Sequence, residues 1–185
     1  DAYGWRVPIM VMGVALLIGL VALWVWVPKD LTAPGASFAG SGALLARWDV
    51  LSVLLTTALY FVAIFNVFSY VGPVLQALVP MERSLQALTL ALFGVSGVVG
   101  TLVGGWANDR FGAKRTMTVG LLGLGGSMAL LPFTAGVWPL LVAVLLVWGS
   151  AGFALMAPQQ SRLVALSPSH APLLLSLNAS MLYLG

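Results

Sequence analysis

The feature that most constrains this chain is a series of long apolar runs with little or no charge. The first run, residues 7–27, would rise about 32 Å as a helix, which is enough to cross a hydrocarbon core of roughly 30 Å. Only 7% of the 185 residues are charged and 61% are hydrophobic. A soluble domain carries about 25% charged residues, so the sequence predicts a protein that is solvated by a membrane.

Further apolar runs cover residues 50–75, 85–106, 116–133, 137–157 and 171–185. Runs that are continuous over about 20 residues favour helices, because barrel strands alternate in polarity and span about 10 residues. The sequence therefore predicts an all-α integral membrane protein, a multi-pass helical bundle. The run at 171–185 would rise only about 22 Å, so we expect the chain to be an excerpt whose parent protein continues further.

The first run also has to be distinguished from a cleaved signal peptide. It is longer than a typical signal-peptide core, and Pro28-Lys29-Asp30 follows it where a small-residue cleavage site would stand. A membrane span is therefore the better interpretation. Residues 28–48 are rich in Gly, Ala, Ser and Pro, the composition of a flexible polar linker. This linker is the best domain boundary in the chain.

The basic residues predict the orientation, because cytoplasmic loops collect Lys and Arg. Counted on alternate sides of the membrane, one side holds only Arg6 and Arg83. The other side holds Lys29, Arg47, Arg110, Lys114, Arg115 and Arg162. The second side should be cytoplasmic, together with the 28–48 linker and the loop at 109–115.

Several kinds of function are disfavoured by composition. The chain has no cysteine and one histidine, which offers no metal cluster, and we expect no cofactor. The basic residues are divided among short loops, so no continuous basic stripe is available for nucleic acid. An integral membrane enzyme would need a converging acid, base, nucleophile or metal, and the sequence offers no such set.

One short loop carries a motif with the spacing G-x-x-x-D-R-x-G-x-K-R. Its residues are Gly105, Asp109, Arg110, Gly112, Lys114 and Arg115. A glycine at 105 would let two helices approach closely, and Gly112 would permit a tight reversal. Asp109 would pair with a cation or cap a helix N-terminus. A generic basic loop would explain the cations, but it would not explain Asp109 between two glycines.

At this motif the sequence resembles the major facilitator superfamily, whose signature loop has the same pattern. Four further segments resemble the entry to the family's sixth helix, its central cytoplasmic loop, its seventh helix and its eleventh helix. They are, in that order, Gly4-Trp5-Arg6, the linker, Phe68-Ser69-Tyr70-Val71-Gly72-Pro73 and Asn178. The resemblance covers helices six to eleven of twelve and is greatest to bacterial drug and sugar efflux permeases. It implies that residues 1–27 end the N-terminal half, that 28–48 form the central cytoplasmic linker, and that 49–185 form a C-terminal bundle truncated before its last helix.

The resemblance also implies a function. The signature loop would act as a gate latch, with Asp109 holding a contact between two six-helix halves that rock around a midplane site. The protein would be a proton-coupled exporter of small molecules in a bacterial cytoplasmic membrane. Its partners would be the bilayer, a small-molecule substrate, protons and the missing N-terminal half. A nutrient uptake symporter of the same superfamily and a non-transporting membrane scaffold fragment are alternatives.

Polar residues within the apolar runs are candidates for the substrate cavity, because a bilayer makes them costly unless they face protein or water. Phe61, Phe65 and Phe68 have helical i, i+4, i+7 spacing, with Asn66 nearby, although simple packing is an equal explanation. The candidate cavity residues are Phe61, Phe65, Asn66, Ser69, Gln159 and Asn178. We expect Asn66 and Asn178 to be buried amides that need partners.

No acidic residue lies deep in a predicted span. Asp49 begins the second run and is expected to be its N-cap, so a proton-carrying carboxylate would lie in the missing half. The prolines near run ends, Pro73 and Pro158, would kink or terminate their helices, and termination is the expectation.

Overall fold

The computed structural model describes residues 6–28, 42, 44 and 46–184, and throughout these residues the regular structure is helical. The α-helices are α1 (Arg6–Trp26), α2 (Trp48–Phe68), α3 (Val71–Leu78), α4 (Arg83–Phe111), α5 (Ala113–Leu130), α6 (Trp138–Ala154), α7 (Met156–Leu166) and α8 (Ala171–Leu184). Two 3-10 turns, Leu131–Thr134 and Pro168–His170, follow α5 and α7.

The described helical segments include 5 that are long and apolar enough to cross a membrane. They are Arg6–Trp26, Trp48–Phe68, Arg83–Phe111, Ala113–Thr134 and Trp138–Leu166. This confirms the predicted all-α, multi-pass fold. The chain divides into two compact units, residues 1–35 and 36–185. Helix α1 is the described helix of the first unit, and the candidate site lies in the second.

In the second unit, α4 and α6 form the most extensive helix contact, and α5 also packs along α6. The close approach of α4 and α6 depends on glycines. A Cβ at Gly100 would lie 2.6 Å from the Ser150 Cα, and one at Gly104 would lie 2.6 Å from the Ala154 Cα. Small residues let backbones approach in this way in membranes, where packing replaces the hydrophobic effect as the driving force.

Two of the predicted runs are broken into two helices each. Run 50–75 becomes α2 and α3, and run 137–157 becomes α6 and α7. Pro73 and Pro158 each occupy the third residue of the second helix. A proline ring clashes with the carbonyl four residues earlier, which explains why the first helices end at Phe68 and Ala154. The first helix of each pair does end, as expected, but a second helix begins within three residues, which was not expected.

The buried apolar residues form two clusters. The larger cluster contains Tyr60, Phe93, Trp148 and Leu155 and joins α2 to α6. The smaller contains Val50, Leu163 and Leu174 and joins the start of α2 to α7 and the start of α8. The smaller cluster fixes one end of the unit, and the signature loop lies at that same end, as described next.

Candidate functional site

The signature loop is a reversal made by one residue. Helix α4 ends at Phe111 and α5 begins at Ala113, so Gly112 alone connects them. Gly112 has φ 82° and ψ 158°, a region that is open essentially only to glycine. Its N–H donates to the Asn108 carbonyl at 2.9 Å, and its carbonyl accepts from Thr116 Oγ1 at 3.1 Å. The predicted role of Gly112 as a tight turn is confirmed.

The charged residues of the loop, Asp109, Arg110, Lys114 and Arg115, are exposed. Within residues 46–184 the ion pair is Arg47–Asp49, so none of these four has an ionic partner there. Asp109 accepts a long 3.4 Å hydrogen bond from Asn108 Nδ2, and the Arg110 guanidinium lies 6.0 Å from the centroid of the Phe111 ring. Within this described part of the chain, Asp109 forms no ion pair and does not cap the N-terminus of the following helix, although one or the other had been expected.

Gly105 does not have the packing role expected of it. A Cβ at Gly105 would meet no atom within 4 Å, whereas a Cβ at Gly104 would collide with the backbone of Ala154. The close helix approach predicted at Gly105 is therefore made at Gly104. The reason is helical geometry: successive residues point about 100° apart, and Gly104, with Gly100, faces α6.

Asn108 lies in the last turn of α4 and is a residue that the motif did not single out. Its Nδ2 donates to Ser161 Oγ on α7 at 3.1 Å, and Ser161 Oγ lies 3.4 Å from its Oδ1. Both side chains are half-buried. The contact ties the end of α4 to the helix that follows the break at Leu155. No local sequence signal predicts it, because the partners are 53 residues apart.

The basic residues of the second unit collect at one end. The Asn108–Ser161 contact brings Arg162 to the loop, and the packing of Val50 on Leu163 brings Arg47 to the same end. Arg83 lies at the opposite end of α4. This charge asymmetry is the pattern expected of helices that present one end to a cytoplasmic surface.

Asp49 is held by its neighbour at this end of the unit. It lies within the first turn of α2 and is not the N-cap, which is Arg47, so the expected N-cap assignment is wrong. Its carboxylate accepts from Val50 N–H at 2.9 Å and from Arg47 Nε at 3.1 Å. The hydrogen bond and charge of Asp49 raise the pKa of Arg47. Asp49 is thus an exposed partner in an ion pair.

A second feature is a buried polar cluster that joins three helices. Gln159 Nε2 of α7 donates to Thr57 Oγ1 of α2 at 2.8 Å, and Thr57 Oγ1 lies 2.6 Å from Asn178 Oδ1 of α8. Gln159 Nε2 also donates to the Val53 carbonyl. All three side chains are buried, and Arg162 Nη1 lies 3.5 Å from Gln159 Oε1. Two predicted cavity residues therefore meet through a third, Thr57, that was not predicted.

The other two polar candidates lie apart from this cluster. Asn66 and Ser69 are exposed near the end of α2, so the expectation that Asn66 is a buried amide is wrong for this part of the protein. The difference arises from the face of the helix: Thr57 and Tyr60 face the bundle, whereas Asn66 faces away from it. The side chains of Asn66 and Ser69 are therefore available to bind a group that contacts the outward face of α2.

The third feature is a row of aromatic rings. Phe61 stacks on Phe65 with centroids 5.7 Å apart, and Phe65 meets Phe68 edge-on at 5.9 Å. Phe68 continues to Phe93 at 5.8 Å, and Phe93 to Trp148 at 4.9 Å. The predicted shared face is confirmed. Phe61 and Phe65 line an apolar hollow of about 90 Å³.

The described residues contain no group of three or more His, Cys, Asp or Glu that could hold a metal ion. His170 ends the second 3-10 turn and is bonded locally, with Nδ1 3.1 Å from Ser167 Oγ and from Ser169 Oγ.

Comparison with known proteins places these features in context. The sequence profile of the Major Facilitator Superfamily matches residues 1–185. The chain is 31% identical over 185 residues to "Inner membrane transport protein YdhP" of Escherichia coli K12, covering 100% of this chain and 47% of that protein. It is 30% identical over 156 residues to "Transcription regulatory protein OpdE" of Pseudomonas aeruginosa, covering 80% of this chain and 38% of that protein. The chain thus spans about half the length of these curated relatives, or less.

Proposed function

The chain belongs to the major facilitator superfamily, and from this premise we propose that it is the second half of a secondary transporter that exports small molecules by alternating access. The observation that carries the proposal is the signature loop. Gly112 makes a one-residue reversal, and beside it Asp109 is exposed and has no ionic partner within residues 46–184. The relative named as a transport protein supports the same activity.

In this proposal the loop is a latch between the two halves. An exposed carboxylate without an ionic partner, at the end of a membrane helix, can accept charge-assisted hydrogen bonds from a partner. Asp109 has no ionic partner within residues 46–184, so in this proposal it binds one from the first half in one access state and releases it in the other. The Asn108–Ser161 contact would then pass the movement of the loop to α7.

Two features support a substrate path along the broken helices. Transporter sites commonly lie beside discontinuous helices near the midplane, and α2–α3 and α6–α7 are both interrupted. The row of rings from Phe61 to Phe93 borders one of these breaks, and Asn66 and Ser69 lie exposed near it. Such a wall favours small molecules with an apolar surface and a few polar groups.

Coupling to protons and the direction of export are further parts of the proposal. The acidic residues of the described chain, Asp49, Glu82 and Asp109, lie at helix ends, so a midplane proton carrier would come from the first half. Uptake of a nutrient is the alternative. Vesicles of opposite orientation distinguish the two, because a proton-driven exporter concentrates substrate inside inverted vesicles whose lumen is acidic, as protons leave the lumen in exchange.

The test is Asp109→Asn in the full-length parent protein, with Glu82→Gln as the matched control. Glu82 is an exposed acid at the other end of α4 with no side-chain cap bond. Loss of one charge-assisted hydrogen bond of about 1.5–3 kcal/mol predicts transport slowed by roughly tenfold or more. The assay measures the uptake of a panel of lipophilic dyes and sugars into inverted vesicles. The two variants are compared only if both insert into the membrane in equal amounts. Unchanged transport in Asp109→Asn would refute the latch.

A further inference from the structure

A long groove runs between α4, α5 and α6 from the signature loop into the membrane span. Its volume is about 640 Å³. Its walls include Val99, Val103 and Phe111 of α4, Val119 and Gly123 of α5, and Val147 of α6. These walls are apolar along almost their whole length, so the groove is suited to a hydrocarbon chain.

Few of the residues that line the groove are polar. Thr116 and Ser150 line it, but their hydroxyls donate within their own chain segments, to the Gly112 carbonyl at 3.1 Å and the Leu146 carbonyl at 2.6 Å. Arg115 is the one charged residue in the lining. Its side chain has no hydrogen bond or ion pair within residues 46–184. The groove therefore pairs an apolar channel with a cation whose charge is not neutralised there.

The length of the groove matches one leaflet of a bilayer. From Phe111 to Val99 the axis of α4 rises about 18 Å, and from Arg115 to Gly123 the axis of α5 rises about 12 Å. Half of a hydrocarbon core of roughly 30 Å is about 15 Å. A chain that begins at the headgroup level beside Arg115 would end near the midplane.

We propose that this groove is a binding site for an anionic phospholipid, with one acyl chain in the groove and the phosphate on Arg115. The choice of a lipid rests on the match to one leaflet, and the choice of an anionic headgroup rests on charge complementarity. Lys114 and Arg110 flank Arg115 and add to the local positive field, and basic residues next to a span attract anionic headgroups.

The test is native mass spectrometry of the purified full-length protein with added phosphatidylglycerol or phosphatidylcholine of identical acyl chains. Arg115→Gln removes the headgroup contact, and Arg83→Gln, at the other end of α4, is its control. Val103→Trp fills the groove with a ring, and Leu102→Trp is its control, because Leu102 is an exposed neighbour that does not line the groove.

The expected result is that phosphatidylglycerol binds more tightly than phosphatidylcholine. Arg115→Gln should weaken phosphatidylglycerol binding about fivefold, the factor for one basic residue at a membrane surface. Val103→Trp should weaken both lipids, and the two control variants should leave both unchanged.

Two results would overturn the proposal. Equal binding of the two lipids, unaltered in Arg115→Gln, would remove the headgroup contact. Lipid binding that persists unchanged in Val103→Trp would mean that the lipid binds outside the groove. Both variants alter exposed residues, and matching elution of variant and control on size-exclusion chromatography verifies that each is folded.

Discussion

Adjacent glycines at positions 104 and 105 provide a direct test of how α4 and α6 pack. In Gly104→Ala the new Cβ would lie 2.6 Å from the Ala154 Cα, and backbone cannot rotate away as a side chain does. In Gly105→Ala the new Cβ meets nothing within 4 Å. We therefore expect Gly104→Ala to destabilise the protein and Gly105→Ala to leave its stability unchanged or raise it slightly.

The magnitude follows from two terms. Both substitutions gain about 1 kcal/mol of helix propensity over glycine, so this term cancels when the variants are compared. Overpacking of a close contact costs about 1–3 kcal/mol, and it applies only at Gly104. At about 2–4 °C per kcal/mol for a unit of this size, the melting temperature of Gly104→Ala should lie roughly 2–12 °C below that of Gly105→Ala.

The assay is thermal unfolding of the full-length protein in detergent, followed by the loss of monodisperse protein on size-exclusion chromatography. The two variants differ by one position in one helix, so expression, detergent and labelling effects are shared between them. Equal melting temperatures, or a lower value for Gly105→Ala, would refute the assignment of Gly104 to the α4–α6 contact.

Two further stability predictions use the same assay. Thr57→Val should lower stability by about 1–3 kcal/mol, because it removes the hydroxyl that joins Gln159 to Asn178; Thr56→Val should cost less, since that hydroxyl bonds only to Ser52 of its own helix. Equal losses in the two valine variants would contradict the three-helix cluster. Gly112→Ala should lower the free energy of unfolding by about 1–3 kcal/mol, because φ is 82° at this residue. Gly125→Ala is the control and should not lower it, because there is open space around its Cβ. A Gly112→Ala variant as stable as the control would show that the reversal is not as described.

Much of the architecture was predictable from the sequence because the bilayer imposes a strong constraint. Uncharged runs of about 20 residues have few alternatives to helices, and the predicted runs correspond to the helical segments of the structure. The reversal at Gly112 was predictable for a local reason, since a charged loop between two spans needs a glycine at its turn. The breaks after Phe68 and Ala154 were only partly predictable, because a proline marks a disruption without saying whether the chain becomes helical again.

The candidate site was less predictable because its contacts join distant parts of the chain. The Asn108–Ser161 contact and the link from Thr57 to Asn178 each depend on which helix faces meet, and separations of 53 and 121 residues leave no local pattern. The same applies to Asn66, which is chemically like Asn178 but faces outward. The choice between Gly104 and Gly105 also required the rotation of α4 about its axis.

The central proposal is that Asp109 controls alternating access, and accessibility measured from both sides of the membrane tests it most directly. The chain contains no cysteine, so Asn66→Cys in an otherwise cysteine-free parent protein is a single reporter on the exposed face of α2. A membrane-impermeant maleimide is applied to right-side-out and inverted vesicles. The account predicts labelling from both sides and a changed ratio between the sides in Asp109→Asn, but not in Glu82→Gln, because loss of a latch shifts the population of the two states. Labelling from one side only, or a ratio that Asp109→Asn leaves unchanged, would contradict it.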